Sequence, residues 1–240
     1  MKKLLDKSQL LCYNDNRIIG KLIFKRRDSM STPDKSIDPR LLESAKQEFM
    51  KHGYLKAELK TICDNADITT GAVYKRYKGK EDLFSAVVSD IFNALNDFLE
   101  SRSNLDFSGF SDEEVYNSWI MTYDTMIPMF KLLYGSRDTF ALLIDKVAGT
   151  RYENFNHEFV TKMSYAYEQV YAEARKRGLA GAEVTREEFH VLISSFWTCV
   201  CEPFIHGMSW EQIEEHCRIV CRFFNWKDVI MLKKGDENHI

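Results

Sequence analysis

The 240-residue chain is poor in the residues that interrupt helices, with four prolines and eleven glycines. That scarcity leaves room for long helices. It has no run of eighteen apolar residues, so no transmembrane helix and no membrane partner are expected. The segment Met1 to Leu11 is basic but lacks both a continuous apolar stretch and a small-residue cleavage site, which argues against a secretory signal and for a cytoplasmic protein. There is no glycine-rich phosphate loop, no Gly-x-Ser-x-Gly elbow and no cleft-forming pair of carboxylates, so nothing marks an enzyme. His157, His190 and His206 stand alone on helical segments and read as solvated or as satisfied core residues. Neither a Cys-x-x-Cys pair nor a His-Glu-x-x-His arrangement occurs, and no metal or cofactor is expected. The six cysteines (Cys12, Cys63, Cys199, Cys201, Cys217, Cys221) read as small buried apolar residues of a reducing compartment.

What is present is an ordinary globular composition, 45% hydrophobic and 29% charged. The net charge of −3 hides an asymmetry. Residues 1–38 carry 9 Lys/Arg against 5 Asp/Glu, residues 39–85 carry 9 against 7, and residues 86–240 carry 15 against 24. A basic front and an acidic rear confine any polyanion contact to the front.

Three regions follow: an extension (1–37), a small helical module (38–85, motif 58–77) and a larger helical domain (86–240). The extension has no sustained period, and Arg26 to Asp34 is polar and turn-rich. Two readings of it stand side by side. Lys25-Arg26-Arg27 can be encoded by purine-rich codons resembling a ribosome-binding sequence just before Met30, which would make residues 1–29 a translated leader; alternatively they form a basic arm that touches DNA.

From Asp38 the helical signal is strong. Asp38 suits an N-cap and Pro39 the first helical position; Leu41, Leu42, Ala45 and Phe49 share a face, and Gly53 is the stop. A second helix turns Leu59, Ile62, Cys63 and Ala66 inward. After a turn at Asp67-Ile68, a third helix begins at Thr69 with Val73 and Tyr77 facing the core. Gly79 opens a long fourth helix with Leu83, Val87, Ile91, Leu95 and Phe98 inward, ended by the polar stretch Ser101 to Ser111. Further helices are expected at 112–134, 137–148, 152–177, 185–206 and 209–226, with Pro128 and Pro203 kinking the first and fourth. No strand pattern is sustained. The fold class is all-α, with about nine helices.

Three short helices joined by tight turns form a small DNA-reading module. Thr69 can cap the third helix, leaving the amides of Thr70, Gly71 and Ala72 facing outward, where they attract phosphate or base acceptors. Gly71 and Ala72 are small enough for close backbone approach to a groove. Lys75, Arg76, Lys78 and Lys80 place four cations in six residues with no acid among them. Lys80 opposes the dipole of the helix it opens, a cost of a few tenths of a kcal/mol that a bridging phosphate would offset.

The stretch from Gly53 to Phe84 resembles the TetR (tetracycline-repressor-like) family over about fifty residues from Asp38. The resemblance lies in Tyr54 after the glycine, the small-residue second helix, Thr69-Thr70-Gly71-Ala72-Val73-Tyr74, the aromatic Tyr77, and Lys80-Glu81-x-Leu83. Asp67 departs from the glycine usual in the inter-helix turn, and Ala57-Glu58 from the usual Ser/Thr cap. Asp tolerates a left-handed turn; the missing cap costs up to about 1 kcal/mol. The resemblance implies that Lys80 touches the DNA backbone and that Tyr74 and Thr70 make backbone and base contacts. The expected DNA-binding set is Thr69, Thr70, Gly71, Ala72, Tyr74, Lys75, Arg76 and Lys80, with Thr70, Ala72 and Lys75 reading bases.

The larger half is dense in aromatics and methionines, most of them core. The resemblance implies a cavity there for a small-molecule effector, expected among Trp119, Tyr123, Met126, Met163 and Tyr167 because an aromatic-lined cleft between helices suits an apolar ligand. The last two helices carry wide apolar faces: Ile193, Phe196, Trp197, Val200 and Phe204, then Ile213, Cys217, Val220 and Phe224. The resemblance implies that these helices build a homodimer as a four-helix bundle, which a symmetric DNA reader needs. The implied function is a dimeric repressor of a palindromic double-stranded DNA operator, released when an effector shifts the fourth helix through a coupling of about 1–3 kcal/mol. Two alternatives keep the same scaffold. Cys217 and Cys221 at i,i+4 spacing, near His206, His216, Cys199 and Cys201, would suit a metal or thiol-redox sensor, and an effector-free DNA-binding scaffold would lose the pocket.

Overall fold

The computed structural model describes residues 37–103 and 105–234; both readings of residues 1–29 lie outside them. Regular structure among the described residues is helical, apart from one isolated antiparallel bridge between Ala180 and Leu232. The helices are α1 (Ile37–Lys56), α2 (Leu59–Asn65), α3 (Thr70–Tyr74), α4 (Lys80–Ser103), α5 (Asp112–Asn117), α6 (Tyr123–Gly135), α7 (Arg137–Asp145), α8 (Phe155–Lys176), α9 (Arg186–Ile205), α10 (Trp210–Phe223) and α11 (Trp226–Val229), with a 3₁₀ turn at Phe107–Gly109. No described helix is long and apolar enough to cross a membrane.

Helix starts follow local chemistry. Reciprocal capping boxes, Ser111 with Glu114, Thr122 with Thr125, Thr185 with Glu188 and Ser209 with Gln212, open α5, α6, α9 and α10. The Thr122 box corrects the single helix expected over 112–134. The chain stops at Asn117 and restarts at Tyr123, because Thr122 satisfies the amide of Thr125. Pro128 and Pro203 lie inside α6 and α9.

One apolar cluster runs from Leu41 to Leu232. On α4 the fully covered residues are Leu83, Phe84, Val88, Ile91, Leu95 and Leu99, whereas the expected Val87 and Phe98 are half-buried. Helix α4 crosses the expected module boundary at residue 85, packing on α1 at its start and on α7 and α8 beyond. Helix α8 in turn packs on α9, and α6 on α10. Arg177 fastens the 3₁₀ turn, donating to the carbonyls of Phe107 (2.9 Å) and Phe110 (2.6 Å) and to Asp112 (3.0 Å) and Glu173 (2.7 Å).

The residues expected at a dimer face lie inward in the single chain. Ile193, Phe196, Trp197, Val200, Phe204, Ile213, Cys217, Val220 and Phe224 are all buried within the single chain. A side chain already covered by its own protomer has no apolar area left to bury against another. The same helices instead expose Val191, Ser195, Thr198, Glu202 and Ile205 on α9, and Ile219 and Phe223 on α10, the last 76% exposed.

Candidate nucleic-acid interface

Each part of the helix-turn-helix is held by a nameable device. Gly53 breaks α1 with φ 68° and ψ 168°, conformations that favour glycine. Helix α2 starts without a side-chain cap from Glu58, as the sequence implies. The orphaned Glu58 amide is instead taken by the buried carboxylate of Glu48 on α1, at 3.1 Å. Ser44 Oγ donates to the Ile62 carbonyl at 2.8 Å, locking α1 against α2.

The turn between α2 and α3 is a Schellman closure. The amide of Ile68 donates to Cys63 O and that of Asp67 to Asp64 O, with Asp67 in the left-handed region at φ 54°. Asp67 thus does the work of the expected glycine. Thr69 then caps α3, its hydroxyl accepting from the Ala72 amide at 3.2 Å. That bond consumes one of the three amides that the sequence reading left facing outward.

Helix α3 is only five residues long and packs on α2 through the fully buried Val73. Thr69, Thr70, Gly71, Tyr74 and Lys75 are exposed, Tyr74 by 61%, and Ala72 is half-exposed. Lys78, beyond the end of α3, is exposed as well. Tyr77 faces inward, as expected, and burial raises its phenol pKa.

Two of the expected contacts are engaged within the chain. Arg76 turns back: its Nε donates to Asp38 Oδ1 at 2.9 Å and its guanidinium to the Ala72 carbonyl at 3.2 Å, leaving the side chain 15% exposed. Lys80 Nζ donates to the carbonyls of Ala57 (3.0 Å) and Leu55 (3.3 Å) and lies 4.6 Å from the Tyr54 ring centre. Its cation serves the carbonyl end of α1, where positive charge is favoured, so its position has a cause inside the protein. Burial lowers its pKa. One of the three ammonium protons remains for a phosphate.

The module is also tied to the larger domain. The Tyr54 amide donates to Lys146 O at 3.3 Å, Glu81 accepts from the Arg151 amide at 2.8 Å, and Lys46 reaches Asp138 at 3.7 Å. At Gly149, with φ +79°, a Cβ would lie 2.5 Å from Leu55 Cδ2. This junction was not legible along the chain, because an acid such as Glu81 in a first helical turn is already accounted for by the helix dipole.

Of the expected effector residues, the structure brings Trp119 and Tyr167 together, ring centres 5.9 Å apart. They line a small apolar cavity of about 20 Å³ with Arg102, Ser118, Ala166 and Val170. Met126 and Met163 are fully buried but do not line it. Tyr123, at the start of α6, lies apart from that cavity and against α10: its hydroxyl donates to Glu214 at 3.0 Å and its ring carries the Arg218 guanidinium at 3.9 Å. The described residues contain no cluster of three or more His, Cys, Asp or Glu side chains placed to hold a metal. The five described cysteines are free, and the Cys217 and Cys221 thiols hydrogen-bond to each other, which lowers the pKa of Cys221 and raises that of Cys217.

The family model described as bacterial regulatory proteins, tetR family, matches residues 41–87. The HTH-type transcriptional regulator UidR of Escherichia coli (strain K12) is 29% identical over 89 residues, covering 37% of this chain and 45% of that protein. The chain thus spans about half the length of the curated relatives it matches. Among solved structures, native NalD, the secondary repressor of the MexAB-OprM multidrug efflux pump in Pseudomonas aeruginosa, superposes with a TM-score of 0.54 at 16% identity, covering 83% of this chain and 96% of that one. At that identity the likeness establishes the fold.

Proposed function

We propose that the chain, whose residues 41–87 match the model of the tetR family of bacterial regulatory proteins, is a repressor that binds a palindromic DNA operator as a homodimer and leaves it when a small effector binds the larger domain. The observation that carries the reading is the exposed surface of Thr70, Tyr74 and Lys75 on a helix fixed by the Thr69 cap and the Asp67 turn. An aromatic phenol and a cation on a rigid helix edge suit phosphate and base-edge contact. Two copies are needed to present two such helices one helical turn apart on the duplex. The exposed Val191, Ile205, Ile219 and Phe223 on α9 and α10 supply apolar area for that association.

Release is supported by the wiring between domains. Beyond the bonds at Tyr54 and Glu81, ring contacts run from Phe49 to Phe84 (5.0 Å), Tyr152 (6.2 Å), Phe92 (5.0 Å), Phe155 (6.0 Å), Phe159 (5.7 Å) and Trp197 (4.1 Å). A shift of α4 is therefore passed to α1, on which α2 and with it the reading helix are carried. UidR is a transcriptional regulator and NalD a repressor, in keeping with this reading. The test is selection of bound fragments from genomic DNA: an inverted repeat should be enriched, and its absence at low salt would sink the proposal.

A further inference from the structure

Among the described residues, three buried side-chain polar atoms have no hydrogen-bond partner: Trp119 Nε1, Trp226 Nε1 and Ser164 Oγ. They surround one residue. Tyr167 packs against Trp119 and against Trp226, with ring centres 5.9 Å apart in each case, and Ser164 precedes it by three residues on the same helix. Trp119, 2% exposed, also forms part of the wall of the 20 Å³ cavity. A buried donor without an acceptor forfeits its desolvation energy, so three in one neighbourhood call for an explanation.

The charge of that neighbourhood is one-sided. Indole N–H groups donate and never accept, the Ser164 hydroxyl is neutral, and the one charged group on the wall is the cationic guanidinium of Arg102, 8% exposed and itself donating to Phe98 O (3.2 Å) and Ser101 Oγ (3.3 Å), which repels an ammonium head. Among the described residues no carboxylate lines the cavity; the remaining lining is Ser118, Ala166, Tyr167 and Val170, and the Ser118 hydroxyl is already given to Val115 O at 2.6 Å. We infer that the effector is an apolar molecule carrying a hydrogen-bond acceptor head, a carboxylate or a carbonyl, that takes the Trp119 indole proton, and that amines are excluded. This rests on the reading of the larger domain as an effector domain and names the chemical class it takes. The cavity holds about one water, so a ligand enters only by parting walls contributed by α4, α8 and the segment after α5. Because α4 carries the DNA-reading module at its other end, that opening is the step that would disturb the operator contact.

Three probes share a phenylpropyl-sized body and differ in the head: 3-phenylpropanoate, 4-phenylbutan-2-one and 3-phenylpropylamine. On the full chain at neutral pH, each is titrated to millimolar concentration while the four tryptophan indole N–H resonances and the Tm are followed. The carboxylate, the ketone or both should move the Trp119 indole proton downfield and raise the Tm, with the stronger response identifying the head. The amine should do neither. Trp119→Phe, which assigns the resonance, should weaken the acceptor probes about tenfold. Should Trp119→Phe fail to fold, Trp197→Phe, Trp210→Phe and Trp226→Phe assign the Trp119 resonance by elimination, and the downfield shift should survive in all three.

An amine that binds as well as the acceptors, or acceptors that raise the Tm without moving the Trp119 proton, overturns the class while leaving an effector domain in place. If no probe binds, the class is again overturned, and a screen for operator release separates the cases. Release by some other compound preserves the effector reading, and release by none removes it too.

Discussion

Arg76→Ala and Lys75→Ala change adjacent cations and should have opposite consequences. Arg76 makes a charge-assisted bond to Asp38 at 2.9 Å and a second bond to the Ala72 carbonyl at 3.2 Å. Such bonds contribute about 1.5–3 kcal/mol when well buried. Asp38 is 38% exposed, which moves the expected loss to about 1–2 kcal/mol. In a chain of this size that corresponds to a fall in Tm of roughly 2–6 °C. Pairing it with Asp38→Ala in a double-mutant cycle should return a coupling of about 1 kcal/mol. The slope of log affinity for DNA against log salt should not change. Lys75 is exposed, so its removal should leave the Tm within about 1 °C. A cation laid in the groove displaces counterions whether it meets a base edge or a phosphate; counted as one neutralised phosphate, Lys75 contributes about 0.9 to the salt slope, so losing it makes the affinity drop between 50 and 200 mM salt about 3.5-fold smaller. Thermal unfolding and fluorescence anisotropy with labelled duplex over that salt range measure both quantities. If Arg76→Ala flattened the slope by about one and spared the Tm, with Lys75→Ala doing the reverse, the assignment of these residues would be refuted.

Lys80→Met keeps an apolar stem against Tyr54 but removes the ammonium from the Ala57 and Leu55 carbonyls, so the DNA-free protein should lose about 1–2 kcal/mol in urea unfolding; an unchanged midpoint contradicts the cap. Asp67→Val places a β-branched residue at φ 54° and should cost about 1–2 kcal/mol, whereas Asp67→Gly should cost nothing, compared by the same unfolding midpoints. Arg177 holds the Glu173 carboxyl below its ordinary pKa. A group depressed in the folded state stabilises fully above its unfolded pKa and loses that contribution as pH falls through the folded one. Glu173→Gln should therefore lower the Tm near pH 7 and reduce its decline below about pH 4; an identical acid limb in both proteins contradicts this.

The parts of the module legible in the sequence were those set by neighbours a few residues apart. Thr69 as a cap, Asp67 in a left-handed turn, Gly53 as a break and Val73 as core all follow from local backbone requirements. The roles of the cations were not legible, because Lys75, Arg76 and Lys80 look alike along the chain. What separates them is Asp38, 38 residues from Arg76, and the carbonyls of Leu55 and Ala57, 25 and 23 residues from Lys80. The inward placement of the residues expected at a dimer face was hidden for a related reason. Periodicity finds the apolar side of α9 and α10, but the largest apolar side turned into the chain's own core, and the residues free to meet another copy are the sparser Val191, Ile205, Ile219 and Phe223 beside it. The break between α5 and α6 was hidden because Thr122 caps through Thr125 rather than through the more familiar Glu or Gln.

The most direct test of the account is backbone hydrogen exchange on the full chain with and without its selected duplex. Added protection should concentrate in residues 69–78, with the rest of α1 and α4 little changed. Protection confined to the acidic larger domain, or absent from α3, would contradict the claim that this short helix is what the protein lays on DNA.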